Sequence, residues 1–257
     1  MARRNLSAIL FLVFCAVASA ASAAEIRVLT PGGAAPAVTP LAEQFSRHSG
    51  TAVVVSSGPP SAVRQRILAG EQFDVLVQAT PAMAQTAESG ALVAGSRVAL
   101  ARGGIGVVVR AGGPVPDVST VEGFKQALLA APRVVYGNPA QANASGELIV
   151  RILAAAGILD AIAPKVVRFT DIVPGNEMVA RGEADIGLFN LTAIPYSVGV
   201  QLAGPVPAPL QLYTSYEGAL MAKTAATEPA RAFLEFMTSD AARKAWTMAG
   251  FETVRAP

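Results

Sequence analysis

Two rhythms of apolar and polar positions take turns along this chain. Ile26-Arg27-Val28-Leu29-Thr30 is a short, mostly apolar run that predicts a strand. Residues 37–48 then follow a helical pattern, and Ser49-Gly50 ends it with a C-cap glycine. Residues 51–55 are a β-branched strand, 61–69 a helix ended by Gly70, and 73–77 a third strand. A third helix is predicted over 81–89, with Thr80 before it, Pro81 at its first position and Gly90 after it. Strands alternating with helices predict a parallel sheet covered on both faces.

The rhythm changes at Gly103-Gly104-Ile105-Gly106-Val107-Val108-Val109-Arg110, where a glycine-rich stretch leads into a strong strand. Ala111-Gly112-Gly113-Pro114-Val115-Pro116 breaks that strand, and a second series begins. Helices are predicted over 121–129, 145–156 and 176–181, and strands over 133–136, 165–169 and 184–189. Residues 210–222 read as two strand pieces interrupted at Ser215 and Gly218. Residues 228–248 read as one or two helices with a break at Ser239-Asp240. Two α/β lobes follow: residues 24–106 with 213–257 as lobe I, and 107–212 as lobe II inserted into it. The crossings fall near Gly106 and Tyr213, a natural hinge because a few residues can absorb a rotation. One continuous doubly wound domain is the competing arrangement. No internal repeat and no low-complexity linker is present.

Residues 1–23 stand outside this pattern. Arg3 and Arg4 precede an apolar run over 6–18, too short to span a bilayer comfortably, and Ala21-Ser22-Ala23 has the spacing of a cleavage signal. A cleaved signal peptide and a periplasmic location are expected. Cys15 lies in this leader and is the only cysteine. The mature chain is then expected to have no disulfide, no thiolate nucleophile and no thiolate metal ligand. Without its leader the chain loses two of its 20 basic residues and balances its 18 acidic ones. Such neutrality does not ask for nucleic acid or an acidic membrane surface.

In a doubly wound sheet, ligands bind beyond the carboxyl ends of the strands. Those ends are unusual here. They read Thr30-Pro31-Gly32-Gly33, Ser56-Ser57-Gly58-Pro59-Pro60-Ser61 and Gln78-Ala79-Thr80 in the first series. In the second they read Asn138 through Gly146, Thr170 through Asn176, and Asn190-Leu191-Thr192. All are small, polar, mostly uncharged and placed before a helix. Free amides at helix starts, with the macrodipole behind them, can hold an anion without a formal positive charge. Each stretch alone could equally be an ordinary N-cap; the functional reading rests on their number. Arg64, near the start of the second helix, adds a cation within reach of an anionic ligand.

Catalytic chemistry is poorly supplied. His48 is the single histidine and sits at a helix end, where it complements the dipole. No nucleophile elbow or metal-ligand spacing appears, and Asp74 and Asp185 sit beside strand cores where local pairing is as natural as acid chemistry. No enzyme activity, metal or cofactor is expected.

The stretches RVLTPGGAAPAVTPLAEQFSRHSGTAVVV, AVRQRILAGEQFDVLVQAT and VARGEADIGLFNLTAI resemble the molybdate-type periplasmic binding proteins of ABC importers, within the type II solute-binding superfamily. The resemblance runs over essentially the whole mature chain. It implies the two-lobed type II periplasmic binding protein fold, with mixed, mostly parallel sheets covered by helices and a crossing-strand hinge. It also implies a monomeric receptor that closes on a small anionic solute and delivers it to an inner-membrane ABC permease. The family's two serine positions fall on Gly33 and on Pro60, with Ser61 beside it. Its backbone amides fall on Ala79, Ala144 and Ile172, and its tyrosine on Asn190. The side-chain donors are thus largely replaced while the backbone positions remain. A small carboxylate is the preferred ligand over molybdate or tungstate. Its expected contacts are Asn190, Asn143, Ser57, Ser61 and Thr80, with Arg64 at the margin and Thr30, Gly32 and Ser145 completing the turns. A sensor or an enzyme built on the same fold are the alternatives.

Overall fold

The computed structural model describes residues 25–139, 144–169 and 172–253. The expected leader, residues 1–23, and Asn143 lie outside them. The first half of the chain runs β1 (Glu25–Pro31), α1 (Ala35–Ser49), β2 (Ala52–Gly58), α2 (Pro60–Leu68), β3 (Val75–Ala79), α3 (Thr80–Glu88) and β4 (Val98–Gly103). Then follow β5 (Ile105–Arg110), α4 (Val121–Ala130), β6 (Val134–Gly137), α5 (Ala144–Ala155), α6 (Leu159–Ile162), β7 (Val166–Phe169), α7 (Ile172–Ala180), β8 (Ile186–Asn190) and β9 (Val200–Pro205). The chain ends with β10 (Thr214–Leu220), α8 (Thr227–Thr238), α9 (Asp240–Met248) and β11 (Glu252–Thr253).

These strands form two mixed sheets, β11-β4-β10-β3-β1-β2 and β7-β6-β8-β5-β9. In each sheet the strand–helix–strand units are parallel: β1 with β2 and β3, and β6 with β7 and β8. Their carboxyl ends therefore share one edge. Alternation along each strand feeds two cores. Ile26, Val28, Val75 and Val77 face α1, α8 and α9, while Leu29 and Leu76 join Val63 and Met83 on the opposite face. In the second sheet Val107, Val134 and Tyr136 face one cluster, and Val108 and Val135 the other. Covering both faces explains why the strands read as nearly unbroken apolar runs.

The helix boundaries follow the local chemistry. Gly50 closes α1 at φ 72 with its N–H on the Ser46 carbonyl, a conformation that costs any other residue a Cβ clash. Helix α7 begins at Ile172, four residues before the predicted start. Pro174 falls in its first turn, where a missing N–H removes no helical bond. The predicted interruption in 210–222 is a register shift between Tyr216 and Glu217 within a continuous β10. Strand β9 was not expected, because Gln201, Gly204 and Pro205 dilute its pattern.

Asp74 and Asp185 do the same local task in the two sheets. The Asp74 carboxylate accepts from the Arg27 amide at 2.8 Å, and Asp74 returns its own amide to the Arg27 carbonyl. Asp185 exchanges the same pair of bonds with Arg133. Both carboxylates thus lock a strand start to its neighbour.

The chain passes between the sheets twice. Between β4 and β5 only Gly104 intervenes, so Ile105 and Gly106 already pair with β8 of the second sheet. The return runs from β9 to β10. Gln211 ties the two passages together: its carbonyl oxygen accepts from the Ile105 amide at 2.9 Å, and its Nε2 donates to the Ile105 carbonyl at 2.8 Å.

Candidate functional site

The crossover at Gly104 turns the carboxyl edges of the parallel strands in both sheets toward one place. A cleft of about 380 Å³ opens there. Gly32, Gly33 and Pro36 line it from the turn between β1 and α1. Asn176 and Glu177 line it from α7, Asn190 from the end of β8, and Thr192, Ala193, Ser197 and Val198 from the turn that follows.

On the first side the lining is backbone. The Gly32 amide donates to the Gly58 carbonyl at 2.9 Å and fixes the turn. Helix α1 starts here without a side-chain cap, and so do α2 and α3 beyond the neighbouring strand ends. Elsewhere, α4 and α9 are capped by Thr120 and Ser239. Seating hydroxyls as caps is therefore not the role of the polar turns around β1, β2 and β3. A Cβ on Gly33 would stand 3.1 Å from the hydroxyl of Tyr216, which approaches the turn from β10. Burial pushes that phenol up to about 12, so it keeps its proton.

On the second side the lining is side chains. Asn176, only 7% exposed, donates from Nδ2 to Ser197 Oγ, and the Ser197 hydroxyl donates to the Ala193 carbonyl at 2.8 Å. Asn176 Oδ1 is buried and has no hydrogen-bond partner among the described residues. Glu177 is the charged lining residue, and Arg181 holds it at 2.9 Å. Arg181 also grips Glu183 at 2.7 Å. No cationic side chain lines the cleft among the described residues.

Of the residues expected from sequence, Gly32, Gly33 and Asn190 meet in the cleft. Ser57, Ser61 and Arg64 are exposed at the end of β2 and on α2. Ala79 pairs with Tyr216, and Thr80 donates to the Ser215 carbonyl at 3.3 Å. These five sit near the same sheet edge without lining the cleft. Thr30 is fully buried, with its hydroxyl on the Pro31 carbonyl at 3.4 Å. Ala144 and Ile172 are the first residues of α5 and α7, and Ser145 is buried in α5. Asn176, Thr192 and Ser197 are polar cleft-lining residues that sequence reasoning missed. Asn176 and Thr192 stood in the polar turns but were not chosen, and nothing local marks Ser197. Among the described residues no cluster of side chains could hold a metal ion.

Two helix-covered sheets, a double crossover and a polar cleft along their facing edges define a two-lobed binding protein. The sequence model of the family described as bacterial extracellular solute-binding protein matches residues 26–252, and the chain belongs to that family. An aconitate isomerase from Pseudomonas sp is 31% identical over 236 residues, 90% of this chain and 88% of that protein. The molybdate-binding protein ModA of Azotobacter vinelandii is 28% identical over 229 residues, 86% of this chain and 87% of that one. The solved periplasmic molybdate-binding protein of Azotobacter vinelandii superposes with a TM-score of 0.69 at 23% identity, over 90% of this chain and all of that one. The molybdate-type resemblance is thus borne out. Among the described residues no helix is long and apolar enough to cross a membrane.

Proposed function

We propose that this chain is a periplasmic receptor for a small organic carboxylate and serves an inner-membrane ABC importer as a monomer. The cleft lining carries this reading. It joins neutral hydrogen-bonding groups from both lobes to the uncapped start of a 15-residue helix, its one carboxylate, Glu177, is paired with Arg181, and among the described residues it includes no cationic side chain. An anion held by amides and a helix dipole needs no counter-charge. The cleft volume falls in the range of small-molecule sites, and Gly33 and Asn190 leave fewer hydroxyl donors for a compact tetrahedral oxyanion. Closure follows because only the closed form lets a ligand touch both lobes, which is the differential affinity a population shift requires. The leader expected over residues 1–23 delivers the chain to the periplasm.

Thermal shift and calorimetry over a panel of carboxylates and oxyanions test this. A ligand at a hundredfold excess over its Kd adds about 2.7 kcal/mol of stability, a rise of several degrees in Tm. If molybdate alone raises Tm, the carboxylate preference fails; if no anion does, the transport reading fails.

The likeness to an aconitate isomerase supports a second reading, in which the same cleft isomerises a small unsaturated acid. Glu177 is the carboxylate at its wall. Incubation with cis- or trans-aconitate, followed by chromatography, decides: interconversion lost in Glu177→Gln supports the enzyme, and binding without interconversion refutes it.

A further inference from the structure

The turn after β8 lines the cleft and also touches the first sheet. The Leu191 amide donates to the Gly104 carbonyl at 2.9 Å, in the first passage between the sheets. Thr192 is 4% exposed, and a Cβ on Gly103 would stand 3.2 Å from its methyl. The same two residues press on Gly250, which joins α9 to β11. A Cβ on Gly250 would lie 2.6 Å from the Leu191 carbonyl oxygen, 2.9 Å from the carbonyl carbon and 3.1 Å from Thr192 Cα. All three are backbone atoms, so no change of rotamer relieves the contact.

Gly250 is fixed to the first sheet. Its amide donates to the Thr247 carbonyl at 3.0 Å, and the Phe251 amide donates to the Trp246 carbonyl at 3.0 Å. The Phe251 ring packs edge-on against Trp246 at 5.1 Å and Tyr216 at 5.6 Å, and β11 pairs with β4. Leu191 follows β8 in the second sheet. The contact therefore joins two bodies that turn about the passages. In the first sheet, β4 and β10 carry those passages. The turn of β1 that lines the cleft lies on one side of them, and β11 lies on the other. A rotation that brings the second sheet down on the β1 turn therefore lifts Leu191 away from Gly250.

We propose that Gly250 is a positioning residue for the cleft. Its bare backbone, seated against Leu191 and Thr192 behind the passages, sets how far the two sheets stand open. A side chain at position 250 acts as a wedge and drives the cleft toward closure without touching a ligand. Because apparent affinity scales with the fraction of binding-competent molecules, this contact tunes affinity with no ligand contact of its own. The inference holds whatever the ligand's chemistry, so its failure and that of the carboxylate reading are separate.

The only cysteine, Cys15, lies in the expected leader, so two introduced cysteines can carry spin labels without interference. Gln65→Cys on α2 and Arg151→Cys on α5 are exposed positions, one in each lobe. Pulsed electron paramagnetic resonance on this protein without ligand reads the distance between them. Gly250→Ala should shift the distribution to shorter distances, with the closed-to-open ratio raised about tenfold, the size of an overpacked contact. Gly250 has φ 82, so part of any effect is backbone cost. Gly90→Ala is the control: Gly90 has φ 74 with nothing within 4 Å of its Cβ position, and its variant should leave the distribution unchanged. Gly250→Asn presents the same Cβ on a residue that adopts left-handed backbone more readily, and it repeats the test if the alanine variant does not fold. An unchanged distribution, a shift to longer distances, or an equal shift in Gly90→Ala overturns the inference.

Discussion

Lobe I reads β2-β1-β3-β10-β4 across its sheet and lobe II reads β7-β6-β8-β5-β9, so the two match strand for strand. The fourth strand is antiparallel in each, and each arrives directly from the other lobe. The same aspartate lock holds the same pair of strands in both. The lobes differ in what they bring to the cleft. Lobe I offers backbone and a bare helix start, with the buried Tyr216 ring behind Gly33. Lobe II offers amide and hydroxyl side chains from α7 and the turn after β8. A shared scaffold thus sets a backbone wall on one side of the cleft opposite a wall of polar side chains on the other.

The largest test of the common plan lies in the cores. Trp246 in lobe I and Phe124 in lobe II are fully buried, and Trp246 also donates to the Met237 carbonyl at 3.0 Å. Trp246→Ala and Phe124→Ala should each cost about 3–5 kcal/mol in urea unfolding followed by circular dichroism. A loss below about 1 kcal/mol in either would mean that its lobe does not share the packing logic of the other.

The aspartates should separate the lobes. Asp74 is 7% exposed and also takes the Thr224 hydroxyl at 2.6 Å, whereas Asp185 is exposed. Asp74→Ala should cost about 2–3 kcal/mol and Asp185→Ala under about 1 kcal/mol, because only the first strands buried donors. Equal losses would break the comparison.

Gln211→Ala removes both bonds to Ile105 and should lower stability by about 1–2 kcal/mol. Small-angle scattering without ligand should also report a broader distribution of lobe separations. An unchanged profile would place the hinge stiffness in the strands themselves.

The smallest effect is alkaline. Below about pH 10 the Tyr216 phenol is protonated in both folded and unfolded chains. Between the ordinary tyrosine range and about 12, only the unfolded chain ionises, so stability falls as pH rises through that window. Tyr136 in lobe II is pushed the same way by burial, with Arg168 opposing it. Urea titrations at pH 9 and pH 10.5 should show a smaller alkaline loss in Tyr216→Phe than in the unaltered protein. An identical loss would mean that the phenol is as well solvated folded as unfolded.

The sequence by itself determined most of the strand–helix alternation, the two lobes and the polar turns at the strand ends, but not β4, α6, β9 or β11. Those features are local: apolar rhythm, β-branched runs and glycines such as Gly50 act within a few residues. It also marked Gly32, Gly33 and Asn190 as cleft residues, because each directly follows or ends a parallel strand. Only the tertiary structure decided that Ser57, Ser61 and Arg64 stand aside while Ser197 lines the cleft. Tyr216 gains its meaning from pairing with Ala79 and from approaching Gly33, both distant along the chain. Asn176 is legible as a polar residue in a turn, but its spare acceptor exists only because Ser197 has already spent its hydrogen on Ala193. Hydrogen-bond capacity is settled by neighbours in space, and a linear pattern does not carry that sum.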